Sequence, residues 1–137
     1  MRLLRLWTLT CWLIGVALSS PGSLHAQDTR PDVLLKAYAD AAGAPGLPAR
    51  GQAFFMARHG QSWRCASCHQ ANPVQPGRHA STGQTILPLA PAANTARFTK
   101  QAKVEKWFKR NCQDVLKRAC SDQEKADVLA WLITLQP

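Results

Sequence analysis

An all-α fold is the prediction this sequence supports, and three observations carry it. Apolar residues recur with a helical period towards the C-terminus. Capping residues and Gly or Pro stops cut the chain into pieces of helix length. No stretch alternates apolar and polar residues as a half-buried strand must. With 137 residues, the chain is expected to hold one domain.

The first segment stands apart from that domain. Arg2 and Arg5 give a positive start, and Leu6 to Leu18 form an almost unbroken apolar run. Ser19-Ser20-Pro21-Gly22 then breaks the run, and the small Ala26 closes the segment. That order reads as a secretory signal peptide over 1–26, leaving a mature domain at 27–137. The run falls short of the roughly 20 residues that span a bilayer, so no stable membrane insertion is expected after cleavage. Cys11 lies inside it, not after it, and does not read as a lipoprotein cysteine.

Removing the leader leaves Cys65, Cys68, Cys112 and Cys120, an even number of the kind an oxidising compartment favours. The periplasm is the expected location. A domain this small is marginal on its apolar core alone, so a covalent cofactor or a cross-link would help to hold it. The net charge is +9. Nucleic acid is the usual partner for such a balance, but export argues against it. An acidic docking partner fits better, because a positive face raises the encounter rate.

Four helices are expected. The first follows Asp32 as VLLKAYADAAG, with Asp32 accepting from its free amides and Gly43 ending it. After the APGLP linker, RGQAFFMARH is the body of the second, residues 50–59. Gln70 to Phe98 is rich in Pro, Gly, Ser, Thr and Asn and has no sustained period. So long a loop counts against a compact domain unless its apolar residues, Ile86, Leu87 and Leu89, pack on something other than chain. A third helix starts near Thr99 and places Val104, Trp107, Phe108 and Val115 on one face, with Lys103, Lys106, Lys109 and Arg110 opposite. Ser121 and Glu124 form a capping box for the last helix, whose apolar stripe is Val128, Leu129, Trp131, Leu132 and Leu135.

The motif with chemistry in it is CASCH, Cys65 to His69. Two thiols at this spacing can add to the two vinyl groups of one porphyrin, and the adjacent imidazole then lies under the ring centre to ligate iron. The cofactor expected is therefore one covalent haem c, held by Cys65, Cys68 and His69. A zinc site would need a second ligand pair at metal spacing. A thioredoxin-like dithiol would need a βαβ pattern. Neither is present in the sequence. A haem also answers the loop problem, since Ile86, Leu87 and Leu89 can pack on porphyrin.

The sixth iron ligand is open on the residues alone. Met56 is the one methionine after Met1, and it lies upstream of the motif, so a methionine from the long loop is excluded. His59 and His79 are candidates, although a lone histidine on a polar segment is more often a surface residue. Asn111 shares the face of Val104, Trp107 and Phe108. Burying its carboxamide unpaired would cost roughly 1–3 kcal/mol. It either bonds to backbone near a helix end or points at iron.

Gly51, Phe54 or Phe55, and Trp131 resemble the contact between N-terminal and C-terminal helices in class I cytochromes c. ILPLAP, RFT, VEKWFKRNC and EKADVLAWL, read with CASCH, resemble more closely the high-spin cytochromes of the sphaeroides haem protein family, from Pro31 through Leu135. That resemblance implies a class I cytochrome c-like fold around one haem. It implies Asn111 as a sixth ligand that leaves on reduction and opens the iron to oxygen or another small diatomic. It also implies a Cys112–Cys120 disulfide, which would close a short loop worth roughly 2–3 kcal/mol and stiffen the segment holding Asn111.

Three functions follow as expectations: a one-electron carrier, a binder of small diatomics that accepts electrons from a redox protein, or a reductase of oxygen, peroxide or nitrogen oxides. An enzyme needs placed acid–base groups above the iron. Only Arg97 and Arg110 offer themselves for polarising a ligand, and an arginine in this composition is more often solvated. The second function is therefore the expected one, with no catalytic residue assigned.

Overall fold

The computed structural model describes residues 29–137, so the leader assigned to 1–26 lies outside the described residues. Five helices and one two-stranded hairpin follow in order: α1 Pro31–Ala42, α2 Pro48–Met56, α3 Cys65–His69, β1 Gly77–Arg78, β2 Thr85–Ile86, α4 Gln101–Leu116 and α5 Asp122–Thr134.

Local chemistry explains most of these boundaries. Pro31 opens α1 at a position where its missing N–H costs nothing, and Gly43 closes it in the left-handed region at φ 69°. Asp32 does not cap the helix as expected. Proline moves the start forward, Arg30 becomes the N-cap, and Asp32 pairs with the Arg30 guanidinium at 2.8 Å. Helix α2 likewise starts early, on Pro48, and stops at Met56 instead of running to His59. The chain peels away at Ala57, and His59 Nε2 donates back to the Phe54 carbonyl at 2.9 Å. The Ser121–Glu124 capping box is present at the start of α5.

Helix α5 is the centre of the molecule. Its residues 126–132 are all buried, and α1 and α2 both pack against it. Leu34 and Tyr38 of α1, Phe55 of α2 and Leu129, Trp131 and Leu132 of α5 form one core with Phe98 and Val104. The crossing of α2 on α5 requires glycine, because a Cβ at Gly51 would overlap the Asp127 carbonyl oxygen. Buried Asp127 locks the same corner. It accepts from the Leu47 amide at 2.8 Å, from Gln123 at 3.0 Å and from both Nε and Nη2 of Arg50. Burial raises the Asp127 pKa, and these hydrogen bonds outweigh it, leaving the carboxyl below its ordinary range.

Helix α4 reaches this core by side chains. Val104, Cys112 and Val115 are buried, and Phe108 meets Tyr38 edge-on at 5.8 Å. The buried Tyr38 hydroxyl donates to Glu105 at 2.6 Å, and Lys125 reaches Glu105 from α5 at 3.2 Å. Burial and the Glu105 bond raise the Tyr38 pKa well above its ordinary value. Cys112 and Cys120 form a disulfide with Cα atoms 5.6 Å apart, tying the end of α4 to the start of α5. Trp107 departs from the apolar face assigned to it. It is 42 % exposed, at the margin of the buried line, with the Arg110 guanidinium 5.6 Å from its ring centre.

The hairpin pairs Gly77 with Ile86 and Arg78 with Thr85, antiparallel. Two residues per strand give no alternation to read, and the pair leaves the fold all-α in character.

Candidate haem-binding site

The CASCH segment forms a short helix because Ser67 closes it locally. The Arg64 amide donates to Ser67 Oγ at 3.2 Å, and the Ser67 amide donates to the Arg64 carbonyl at 2.9 Å. One short helix carries both thiols and His69 within five residues. Gln70 then takes a positive φ of 65°, which sends the chain away from the helix. The loop returns over it at Gly77, where a Cβ would overlap the Cys68 carbonyl. The Ala80 amide also donates to Cys68 Sγ at 3.3 Å.

The site is placed by the core beneath it. His69 lies 6.2 Å from Phe55, and Phe55 lies 5.0 Å from Trp131. Of the two candidate phenylalanines, Phe55 is therefore the one at the helix crossing. Phe54 turns to the His59 ring at 4.4 Å. Burial, and then the charge of Arg97, lowers the His69 pKa to about 4, so the imidazole is neutral and able to ligate. Burial first of all pushes the Cys65 thiol up to about 11. A redox-active dithiol depends on a lowered thiol pKa, so that reading loses its physical basis. Among the described residues no group of three or more His, Cys, Asp or Glu side chains converges as a metal site. Cys65 and Cys68 are both free, not joined to each other.

This donor set fits a covalent haem: two free thiols and one neutral imidazole on one short helix, with Phe55 against the imidazole. Leu87 is 65 % exposed, Ile86 and Leu89 are half-buried, and Trp63 stands just before the motif.

The remaining candidates are placed as follows. Asn111 is on the exposed side of α4, one turn after Trp107, and no hydrogen bond among the described residues holds its carboxamide. It is therefore not tied to backbone near the helix end. Cys112, beside it, carries the disulfide. His79 is used inside the hairpin connection, where its Nδ1 accepts from the Thr82 amide at 3.3 Å and meets the Ser81 hydroxyl at 3.2 Å. Met56 packs on the core from α2. Arg110 is exposed over Trp107, whereas Arg97 is half-buried and bonded to the Pro88 and Leu87 carbonyls at 2.8 and 2.6 Å. Composition alone predicts a solvated arginine here, since it says nothing of the carbonyls that a loop turns inward. A cleft of about 260 Å³ lies between the approach to α3 and the end of α4, lined by Gln61, Ser62, Trp63, Asp114 and Lys117.

Comparison with known proteins agrees with this geometry. Residues 41–132 match the family described as Domain of unknown function (DUF1924). Cytochrome c-type protein SHP of Cereibacter sphaeroides is 44 % identical over 115 residues, covering 81 % of this chain and 88 % of that protein. Cytochrome c'' of Methylophilus methylotrophus is 46 % identical over 80 residues, which cover 58 % of this chain and 56 % of that protein. Among solved structures, oxidised SHP, an oxygen-binding cytochrome c, superposes with a TM-score of 0.73 at 46 % identity, over 77 % of this chain and 96 % of that one. Oxidised cytochrome c'' from M. methylotrophus gives 0.71 at 36 % identity, over 78 % and 95 %.

Proposed function

The chain belongs to the sphaeroides haem protein family, with one covalent haem c as its cofactor, and from that premise we propose a periplasmic cytochrome that accepts electrons and binds small diatomic ligands. Its observed relative is an oxygen-binding cytochrome c, and oxygen is the first ligand to test here. The observation that carries the reading is the pairing of a half-buried, neutral His69 beside two free thiols with the want of any methionine in the long loop.

The haem supplies one-electron chemistry and a coordination position at iron. Cys65 and Cys68 would hold it by two thioether bonds, and His69 would ligate its iron. Asn111 would offer it an amide oxygen, a hard and weak donor compared with a thioether. Such a donor would suit ferric iron better than ferrous, so its hold would weaken on reduction and leave room for a diatomic. The Cys112–Cys120 disulfide braces the turn of α4 that carries Asn111. His59 and His79 are each committed to local hydrogen bonds, which favours Asn111 over them.

Docking follows from charge. Lys103, Lys106, Lys109 and Arg110 are exposed on α4; of the two acids of that helix, Glu105 is turned to Tyr38 and Lys125, and Asp114 pairs with Arg110 at 3.9 Å. The partner is a redox protein with an acidic face, and electron transfer should slow as salt screens the pair. Export by the 1–26 leader supplies the oxidising compartment in which the disulfide forms.

Optical spectra of the purified protein test the whole reading. High-spin ferric haem that stays with the denatured chain, and ferrous haem that takes up carbon monoxide, are expected. Low-spin haem in both states with no carbon monoxide binding would remove Asn111 and leave plain electron transfer.

A further inference from the structure

Helix α4 is the longest of the described helices, yet it does not lie against another helix as α1 and α2 lie against α5. A small set of side chains holds it. The Tyr38 hydroxyl of α1 donates to Glu105 Oε1 at 2.6 Å, and Lys125 of α5 donates to Glu105 Oε2 at 3.2 Å. Lys125 also donates to Asp122 at 3.2 Å, and its ammonium stands 5.1 Å from the centre of the Tyr38 ring. Phe108, on the next turn of α4, meets the same ring edge-on at 5.8 Å. Both oxygens of one carboxylate are thus engaged, each by a different helix, and charge-assisted bonds of this kind fix direction as well as distance. A phenylalanine at position 38 would fill the same place in the core, so what the hydroxyl adds is the bond to Glu105.

The second fastening of α4 is the disulfide at Cys112, seven residues beyond Glu105. That interval is about two turns, so Glu105 and Cys112 lie on one side of the helix. Asp114 is nine residues beyond Glu105. That interval is about two and a half turns, which puts Asp114 on the opposite side. There α4 lines the cleft of about 260 Å³, together with Gln61, Ser62 and Trp63 of the segment leading into the CASCH helix. The helix is held from behind, and the cleft opens in front of it.

We propose that the Tyr38–Glu105–Lys125 node is a back-stay for α4. It sets how far the helix stands from the approach to the CASCH segment, and so the width of the passage by which a small ligand reaches the haem iron. This rests on the haem seat and the ligand binding proposed above. With the node cut, α4 keeps the disulfide near its C-terminal end as a pivot, and the wall of the cleft moves. Tyr38, Glu105 and Lys125 act through the helix and are positioning residues.

Ligand kinetics of the holoprotein read the back-stay. Tyr38→Phe keeps the ring and removes the bond. Carbon monoxide should enter the ferrous variant about two- to tenfold faster and leave faster by a similar factor, because a wider passage lowers the barrier in both directions. The affinity should therefore stay nearly the same. Glu105→Gln keeps an acceptor for the hydroxyl but weakens both bonds, and should give a smaller change in the same direction. Leu34→Val loosens the core beside α1 without removing any bond of the node, and should leave both rates as they are. Unchanged rates in Tyr38→Phe, or an equal rise in Leu34→Val, would mean that the node serves stability alone, and would overturn the proposal. If Tyr38→Phe gives no holoprotein, Glu105→Gln against Leu34→Val decides on the same rates. Failure of the underlying reading shows separately, in the unmodified protein. A chain with no covalent haem, or ferrous haem that takes up no carbon monoxide, defeats that reading and the back-stay with it.

Discussion

Helices α4 and α5 look alike as sequence patterns, yet the protein covers them differently. Seven consecutive residues of α5 are buried, including one carboxylate, because α1 and α2 close on it from two directions. Helix α4 is longer and buries Val104, Cys112 and Val115. Glycine contacts draw α2 onto α5, while α4 is held through long side chains and a disulfide. The difference separates two tasks. The α1–α2–α5 packing fixes the ground on which His69 rests, and α4 is left with a margin that faces outward from that packing. Mutations in the two regions should therefore divide into those that cost stability and those that change ligation.

Two tryptophans give the sharpest form of that comparison. Trp131 of α5 is 5 % exposed and stacks near Phe55, so Trp131→Ala should cost about 3–5 kcal/mol. Trp107 of α4 is 42 % exposed, and Trp107→Ala should cost about 1 kcal/mol or less. Chemical denaturation of the ferric holoprotein measures both. Similar costs would mean that the two helices are equally part of one core.

Acid should find the α5 corner next. The Asp127 carboxyl is held below its ordinary range in the fold, so its contribution is complete above the unfolded value of about 3.9 and is lost as pH falls towards the folded one. Thermal stability should decline below about pH 4 for that reason. Asp127→Asn should lower stability at neutral pH and flatten the decline. Asp127→Ala should be worse, since it also strands the Leu47 amide, worth about 1–3 kcal/mol. A decline that is unchanged in both variants would shift the acid sensitivity to other carboxylates, of which Glu124, also lowered by Arg118, is the next to test.

The disulfide lies between the two regions, and its removal should fall between them in size. Cys112–Cys120 closes a loop of sequence separation 8, and Cys120→Ser should cost about 2–3 kcal/mol. Because it anchors the turn that follows Asn111, the variant should also exchange iron ligands faster. Unchanged exchange would make the cross-link a stability device alone.

The sequence was most legible where the determinants are local. The Ser121–Glu124 box, the stripe of α5 and the CASCH motif each lie within a few residues, so each could be read without knowing the fold. Gly51 was legible as a family-like contact, but the choice between Phe54 and Phe55 was not. Adjacent residues on a short helix differ by which partner closes on them, and that partner is Trp131, far along the chain. Trp107 was misread because periodicity names a face and not the width of the partner that covers it. Asp32 and the end of α2 failed for a smaller reason: prolines at 31 and 48 moved the helix starts, and His59 replaced a helical turn with one side-chain bond. The hairpin was invisible because its strands are set by the closeness of Gly77 to Cys68, not by any pattern of their own.

The smallest effect on stability should come from Asn111, and it is the most informative about ligation. Its side chain is exposed and has no hydrogen-bond partner among the described residues, so Asn111→Ala should change stability by no more than about 0.5 kcal/mol. If its carboxamide occupies ferric iron, an incoming anion must first displace it. Asn111→Ala should then bind cyanide or azide faster in the ferric state, while carbon monoxide binding to the ferrous state stays the same, because the amide has already left. Asn111→His puts a stronger donor at the same position and should give a low-spin haem with slower ligand entry in both states. Stopped-flow mixing with each ligand, at one pH and ionic strength, separates these outcomes. Ferric rates that do not change in Asn111→Ala would mean that the amide never blocks the iron.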